Sequence, residues 1–188
     1  MNLLNESKLR QLATAALRTR GLTNFSASAE MIKEARAFTS SQTYDVFLSH
    51  RTGDAEIVWG LKASIEAEGL SCYVYWVENP AALTQPVTRE TADGLRTKMR
   101  SCRSLVYADT SAATESKWMP WELGYVDGFR QRVAIFPVAK GSSTTASYVG
   151  QEYLGLYPWI RESSTSGRLA VVDRANFLNF LKEWVQNQ

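Results

Sequence analysis

The stretch YDVFLSHRTGD, residues 44–54, is a short apolar segment followed directly by a polar loop. Its first part, YDVFLS, has the aromatic and branched residues of a buried strand. Similar apolar segments recur as SCYVYWV at 71–77, RSLVYAD at 103–109, RVAIFPV at 132–138 and RLAVVD at 168–173. Helical patterns separate them, so the sequence from residue 44 onward predicts strands that alternate with helices.

This alternation predicts an α/β fold of flavodoxin-like type, with a five-stranded parallel sheet in the order 2-1-3-4-5 and helices on both faces. Sheets of this kind bind ligands where the carboxyl ends of the strands meet. That rule selects the loop segments 49–54, 75–79 and 109–118 as candidate site regions. Asp173 is the expected cap of a last helix, in which Phe177 faces inward.

The chain before residue 44 has a helical pattern. Residues 3–20 predict an amphipathic helix that Asn5 can cap, and residues 28–38 predict a second helix. A polar linker follows. We therefore expect an amino-terminal helical extension with its linker at 1–42 and a main domain at 43–188.

Composition excludes several classes of protein. The net charge of +2 is too balanced for a nucleic-acid binder, and no apolar run reaches the roughly 18 residues of a membrane span. Cys72 and Cys102 give no disulfide framework. His50 is the single histidine, which leaves few ligands for a metal. No secretory leader is evident at the start of the sequence. We expect a cytoplasmic protein with no metal, no nucleic acid and no membrane partner.

The stretch SKWMPWELGYVDG, residues 116–128, places Glu122 among aromatic residues. If the helix begins at Pro120, Glu122 is its third residue and interacts favourably with the helix dipole. If the helix begins at Ser116, Trp118 and Glu122 lie on one face. In both cases Glu122 lies near the carboxyl edge of the predicted sheet, so it is either an ordinary first-turn carboxylate or a catalytic one.

The loop after the first strand also allows two interpretations. It is a polar loop whose Asp54 caps the next helix, or His50 and Arg51 line a pocket for an anionic ligand. Neither a P-loop nor a GxGxxG motif is present, so a nucleotide would be held in another way. A serine hydrolase is disfavoured because no GxSxG motif exists.

Taken together, these segments resemble a TIR (Toll/interleukin-1 receptor) domain over residues 43–188. The resemblance rests on YDVFLSHRTGD, on GLSCYVYWVEN and on SLVYADTSAATESKWMPWEL, which is similar to the family's third strand and its S-x-W-C-x-x-E pattern. That pattern falls on Ser116, Trp118, Met119 and Glu122. Met119 replaces the usual cysteine, and the loop 78–87 lacks the family's charged and glycine-containing pattern.

The resemblance implies an enzyme that cleaves NAD at the nicotinamide–ribose bond, with Glu122 as the catalytic carboxylate. NAD is then a substrate, and no cofactor is expected. The residues that the resemblance places at the substrate are Phe47, Ser49, His50, Arg51, Trp76 and Trp118.

The resemblance also leaves several functional questions open. The product is ADP-ribose or a cyclic ADP-ribose-type signal, which a downstream effector would sense in bacterial antiphage defence. Self-association through TIR–TIR contacts is expected. Two alternatives remain: a non-catalytic TIR adaptor, and an enzyme similar to the nucleoside deoxyribosyltransferases, which also use a glutamate.

Overall fold

The computed structural model describes residues 2–22, 42–51, 55–75, 88–145, 147–150, 152–174 and 176–187. The strands in these ranges are β1 (Leu4–Asn5), β2 (Tyr44–Ser49), β3 (Cys72–Val74), β4 (Cys102–Asp109), β5 (Val133–Ala139), β6 (Trp159–Glu162), β7 (Leu169–Asp173) and β8 (Asn176–Phe180). The helices are α1 (Glu6–Thr19), α2 (Ala55–Ala67), α3 (Arg89–Arg100), α4 (Trp118–Arg130) and α5 (Leu181–Gln186). Short 3-10 turns occur at Ala113–Glu115 and Glu152–Leu156.

The described strands form one sheet in the order β3-β2-β4-β5-β6-β7-β8, and β1 pairs with β5. Adjacent strands are parallel from β3 through β2, β4 and β5 to β6, whereas the pairs β6–β7 and β7–β8 are antiparallel. The α/β class with a mostly parallel sheet is confirmed. The first four predicted strands correspond to β2, β3, β4 and β5, and their order 2-1-3-4 is confirmed as well.

The fifth predicted strand does not occupy its expected position. RLAVVD forms β7, which is separated from β5 by β6 and runs antiparallel to it. Strand β6 ends at Glu162 and β7 begins at Leu169. This connection is much shorter than the dozen or more residues that a parallel crossover needs, so the two strands pair as a hairpin.

The predicted start of the last helix is also wrong. The residues after Asp173 turn back and pair with β7 as β8, and helix α5 starts only at Leu181. The turn contains Arg174 with a φ of 44°, a left-handed conformation that ends the strand. Phe177 consequently lies on an edge strand, where it is about half exposed, and does not face inward on a helix.

Two hydrophobic cores fill the two sides of the sheet. The aliphatic core contains Leu9, Val46, Leu48 and Val106 and receives α1, α2 and α5. The aromatic core contains residues from the alternate positions of the same strands, together with α3 and α4. Its buried aromatic residues include Phe47, Tyr73 and Tyr107. The partly buried aromatic residues packed against it include Tyr75, Tyr148, Trp118 and Trp159.

The first helix is packed directly against the aliphatic core. Asn5 caps α1 by accepting a hydrogen bond from the Lys8 backbone N–H at 2.9 Å, as the sequence predicted. Leu9 reaches Gly60 of α2 so closely that a Cβ there would lie 2.2 Å from the Leu9 carbonyl oxygen. The predicted helix at 28–38 lies outside the described residues, and the boundary between 1–42 and 43–188 stays a prediction. In the part of the chain that the structure describes, no helix is long and apolar enough to cross a bilayer.

Candidate active site

Polar side chains gather at the carboxyl edge of β2 and β4, on the side of the aromatic core. Ser49 is the last residue of β2, and its Cα pairs with that of Tyr107 in β4. Asp109 ends β4 two residues later and therefore points to the same face as Tyr107. Helix α4 packs over this face and brings Glu122 to the end of β2.

Helix α4 starts two residues before Pro120, which was one of the two expected starts. It begins at Trp118, and the Ser116 hydroxyl accepts a hydrogen bond from the Met119 N–H at 3.2 Å. Pro120 is tolerated because a first-turn residue needs no N–H inside the helix. Glu122 therefore lies beyond the first turn, which contains no acidic residue. The interpretation of Glu122 as a first-turn carboxylate is wrong, and Trp118 and Glu122 share one face of α4.

The Glu122 carboxyl is buried, with 6% of the residue exposed. Ser49 Oγ donates a hydrogen bond to Glu122 Oε2 at 2.6 Å. Burial raises the pKa of Glu122 to about 7, although the Ser49 hydrogen bond acts in the opposite direction. A carboxyl that titrates near neutral pH at a ligand-binding edge is typical of a catalytic group.

His50 follows Ser49 but does not carry a positive charge at neutral pH. Its Nδ1 lies 3.0 Å from the Leu48 carbonyl oxygen. Since that oxygen can only accept, Nδ1 carries the proton in this hydrogen bond. Burial lowers the pKa of His50 to about 4, and the backbone hydrogen bond opposes this effect. Of the two residues expected to attract an anion, His50 therefore contributes a neutral ring.

Arg51 supplies a positive charge at this edge. Its side chain is partly exposed, forms an ion pair with Glu115 and donates to the Ala112 carbonyl oxygen at 3.4 Å. These partners belong to the segment between β4 and α4. The guanidinium is thus held beside the loop that precedes Glu122.

The remaining predicted substrate residues differ in their surroundings. Phe47 is only 1% exposed and packs in the aromatic core, with its ring centroid 5.9 Å from that of Tyr73. Trp118 is partly buried and meets Trp121 edge to face at 5.5 Å. Trp76 lies outside the described residues. The structure therefore joins Ser49 and Glu122 directly, and the contacts of the other predicted residues with a substrate stay predictions.

Three tyrosines lie near Glu122 or Asp109. Tyr75 belongs to the segment 75–79 that the sequence selected, whereas Tyr107 and Tyr148 were not selected. Burial raises the pKa of Tyr75, with Glu122 as the second cause. Burial also raises the pKa of Tyr107, and the further causes include Tyr153, Asp109 and Glu122. Strand alternation does carry a signal for Tyr107, because it is two residues before Asp109 and so shares its face. Nothing in the local sequence indicates Tyr148, which reaches Asp109 from a distant segment.

The parallel sheet and the Ser49–Glu122 pair at its carboxyl edge define an α/β protein with a buried carboxylate at its ligand-binding edge. No model of a known protein family matches the chain. It is 49% identical over 127 residues to the probable 3′ cyclic ADP-D-ribose synthase ThsB′ of Bacillus cereus (strain MSX-D12), covering 68% of this chain and 65% of that protein. It is also 25% identical over 93 residues to the putative cyclic ADP-D-ribose synthase TIR2 of Cytobacillus dafuensis, covering 49% of this chain and 24% of that protein.

The chain thus spans less than two thirds of the length of each of these relatives. The name of the second relative, TIR2, agrees with the resemblance to a TIR domain that the sequence motifs carry. The chain belongs to the TIR-domain family.

Proposed function

We propose that this chain is an enzyme that cleaves NAD at the nicotinamide–ribose bond and releases a cyclic ADP-ribose. The observation that supports this most directly is the buried Glu122 carboxyl, held by Ser49 at the edge where parallel sheets bind ligands. The two relatives named as cyclic ADP-D-ribose synthases support the same class of reaction.

The chemistry of the bond explains the need for a carboxylate. When the bond between the ribose carbon and the nicotinamide nitrogen breaks, nicotinamide leaves as a neutral molecule and positive charge develops on the ribose. An ionised Glu122 would stabilise that charge, as carboxylates do in glycoside hydrolysis. The low exposure of Glu122 strengthens this interaction, because water screens it less. Ser49 would orient the carboxylate through its hydrogen bond.

Other residues at the edge would bind the rest of the substrate. Arg51 is the proposed partner of the diphosphate, since its guanidinium is partly exposed and offers several donors. Trp118 and Tyr75 would contact the flat nicotinamide ring. His50 would contribute a neutral hydrogen-bonding ring and not a charge.

The product depends on which nucleophile reaches the ribose. Water would give linear ADP-ribose, and a hydroxyl of the same molecule would give a cyclic product. Because the Bacillus cereus relative is named as a 3′ cyclic ADP-D-ribose synthase, we propose that the 3′-hydroxyl of the adenosine ribose attacks. The cyclic product would act as a signal for a separate effector in bacterial antiphage defence, and TIR–TIR self-association would activate the enzyme in the cytoplasm.

The experiment is an incubation of the full chain with NAD, with and without a crowding agent that favours self-association. Chromatography would measure nicotinamide, linear ADP-ribose and cyclic product. Glu122→Gln should remove nicotinamide release. Glu90→Gln is the matched control, because Glu90 is an exposed first-turn glutamate of α3 and should leave release unchanged.

Two outcomes would replace the proposal. A parallel incubation with a deoxynucleoside and a second free base tests for transfer of deoxyribose. Transfer without nicotinamide release from NAD would favour the deoxyribosyltransferase-like alternative. No turnover of either substrate by a folded, self-associated protein would favour the adaptor.

A further inference from the structure

A second carboxyl lies at the same edge as Glu122. Asp109 is the last residue of β4, and Ser49 and Tyr107 are Cα partners in the adjacent strands. Asp109 is therefore the diagonal neighbour of Ser49 on one face. The usual strand spacing and rise put their Cα atoms about 8 Å apart. Glu122 is hydrogen-bonded to Ser49 at 2.6 Å, so both carboxyl groups belong to the same face of the sheet at its carboxyl edge.

The surroundings of Asp109 prepare it to accept a proton. Tyr148 Oη donates a hydrogen bond to Asp109 Oδ2 at 2.7 Å. Within the described part of the chain, Oδ1 accepts no hydrogen bond and remains available. Burial raises the pKa of Asp109, and the Tyr148 hydrogen bond opposes this. The carboxylate is consequently more basic than that of an exposed aspartate.

We propose that Asp109 is the base that takes the proton from the 3′-hydroxyl when the cyclic product forms. The inference rests on the proposed function. It divides the work between two carboxylates: Glu122 stabilises the positive ribose, and Asp109 activates the hydroxyl that attacks it. Inverting glycosidases also use two carboxyl groups, placed about 6.5–9.5 Å apart, and leave room for an acceptor between them.

The atoms and charges of the step balance. The bond from the ribose carbon to the nicotinamide nitrogen breaks, and its electron pair leaves with neutral nicotinamide. A lone pair of the 3′ oxygen forms the new bond to that ribose carbon. The oxygen–hydrogen bond breaks, and the proton moves to Asp109, which later returns it to solvent. Water attack needs no placement of the second ribose, so loss of Asp109 should favour the linear product.

A structural role for Asp109 makes a different prediction. Its bond to Tyr148 joins the segment 147–150 to the sheet edge. Asp109→Asn keeps an acceptor for Tyr148 but removes the base. Tyr148→Phe removes the bond but keeps the base. The two variants therefore separate anchoring from proton transfer.

The test measures nicotinamide release and the ratio of cyclic to linear product for the full chain with NAD. Asp109→Asn should lower that ratio at least about tenfold, since a general base contributes on the order of 100-fold or more. Nicotinamide release should fall much less. Tyr148→Phe should largely keep the wild-type ratio, and Asp109→Glu should restore much of the cyclic product. Asp127→Asn is the matched control, because Asp127 accepts a similar hydrogen bond from the hydroxyl of Tyr157 at 3.0 Å.

An unchanged ratio in folded Asp109→Asn would overturn the inference, and so would equal losses in Asp109→Asn and Tyr148→Phe. Asp109→Ser provides a second carboxyl-free variant if Asp109→Asn does not fold. A wild-type chain that releases nicotinamide but forms only linear ADP-ribose would overturn this inference while leaving NAD cleavage intact. Absence of nicotinamide release in the wild type would instead refute the proposed function, and the inference with it.

Discussion

The two faces of the sheet are built for different tasks. The aliphatic core packs α1, α2 and α5, and the buried Lys62 of α2 donates hydrogen bonds to Glu66 and to the Cys72 carbonyl oxygen. The aromatic core instead ends in the buried Glu122 and the partly buried Asp109, and burial raises the pKa of both carboxyl groups. Burying a carboxyl opposes its ionisation. The aliphatic face therefore stabilises the fold, whereas the aromatic face carries a stability cost that the proposed NAD-cleaving function explains.

The largest effect is expected for Glu122→Gln, which should lose activity and, above pH 7, be more stable than the wild type. NAD turnover should fall roughly 100-fold or more, the scale of removing one electrostatic stabiliser. The folded-state pKa of about 7 lies above the ordinary 4.5, so the folded chain holds this proton more tightly. That contribution to stability is complete below pH 4.5 and is lost as the pH rises through 7. Between pH 4.5 and 8, the free energy of unfolding of the wild type should fall by up to about 3 kcal/mol relative to that of Glu122→Gln.

Urea unfolding of both proteins at pH 4.5 and 8 measures this difference, with Glu90→Gln as the control at an exposed site. Equal pH dependence in the wild type and Glu122→Gln would mean that Glu122 is not a strained buried carboxyl. Wild-type NAD turnover in a folded Glu122→Gln protein would move the chemistry to another residue.

The second prediction disturbs only the aliphatic face. Gly60→Ala would place a Cβ 2.2 Å from the Leu9 carbonyl oxygen, so α1 and α2 would have to separate. Such overpacking should lower the free energy of unfolding by about 1–3 kcal/mol. The Michaelis constant for NAD and the pH profile of the folded protein should not change. Gly128→Ala is the control, because nothing lies within 4 Å of its Cβ and a helix gains up to about 1 kcal/mol from this change.

A gain in stability in Gly60→Ala like that of Gly128→Ala would show that the close approach of α1 and α2 is easily relieved. A changed Michaelis constant in Gly60→Ala would show that the two faces are coupled through the sheet. Either result would weaken the conclusion that the aliphatic and aromatic faces of the sheet have separate roles.

The sequence predicted most of the parallel part of the sheet, because each strand there is an apolar run bounded by helical periodicity. It failed at the carboxyl-terminal end. Phe177, Phe180, Leu181 and Trp184 have helical spacing, yet the hairpin with β7 takes the first two into β8. Cross-strand pairing is a tertiary effect that local periodicity does not contain.

The candidate site was predicted in a similar, partial way. Glu122 was located by its motif and by the rule for parallel sheets, and Ser49 and Asp109 lie in segments that the same rule selected. The helix start was misplaced because Pro120 can occupy any position of a first turn. Tyr148 could not be found, because its bond to Asp109 joins residues 39 positions apart.

The third prediction concerns the hydrogen bond that controls the pKa of Glu122. The Ser49 hydroxyl donates to Glu122 at 2.6 Å, and this hydrogen bond favours the charged carboxylate. Ser49→Ala removes the donor and should therefore raise the pKa of Glu122 further. Activity that needs ionised Glu122 should rise with pH through about 7 in the wild type and at a higher pH in the variant. At pH 6.5 the variant should be about tenfold slower, as expected for loss of a hydrogen bond to a charged group. At pH 9 the difference should be small.

The pH dependence of kcat/KM for NAD measures this shift. Ser104→Ala is the control, since Ser104 is also buried in the sheet but donates to the Asp45 carbonyl oxygen at 2.8 Å. An identical lowering of rate at every pH in Ser49→Ala would indicate that Ser49 only positions Glu122. A profile that moves to lower pH would contradict the assigned donor.

The smallest effect is expected at the exposed margin of the aromatic face, where Arg51 pairs with Glu115. If Arg51 binds the diphosphate, Arg51→Ala should raise the Michaelis constant about tenfold and change turnover less. Glu115 competes with the substrate for the same guanidinium, so Glu115→Gln should lower the constant about two- to fivefold, the range of an exposed ion pair. In the double variant the Glu115 change should have no further effect, because its partner is gone. Additive effects of the two changes would mean that Glu115 acts on NAD directly, and an unchanged constant in Arg51→Ala would remove Arg51 from the substrate site.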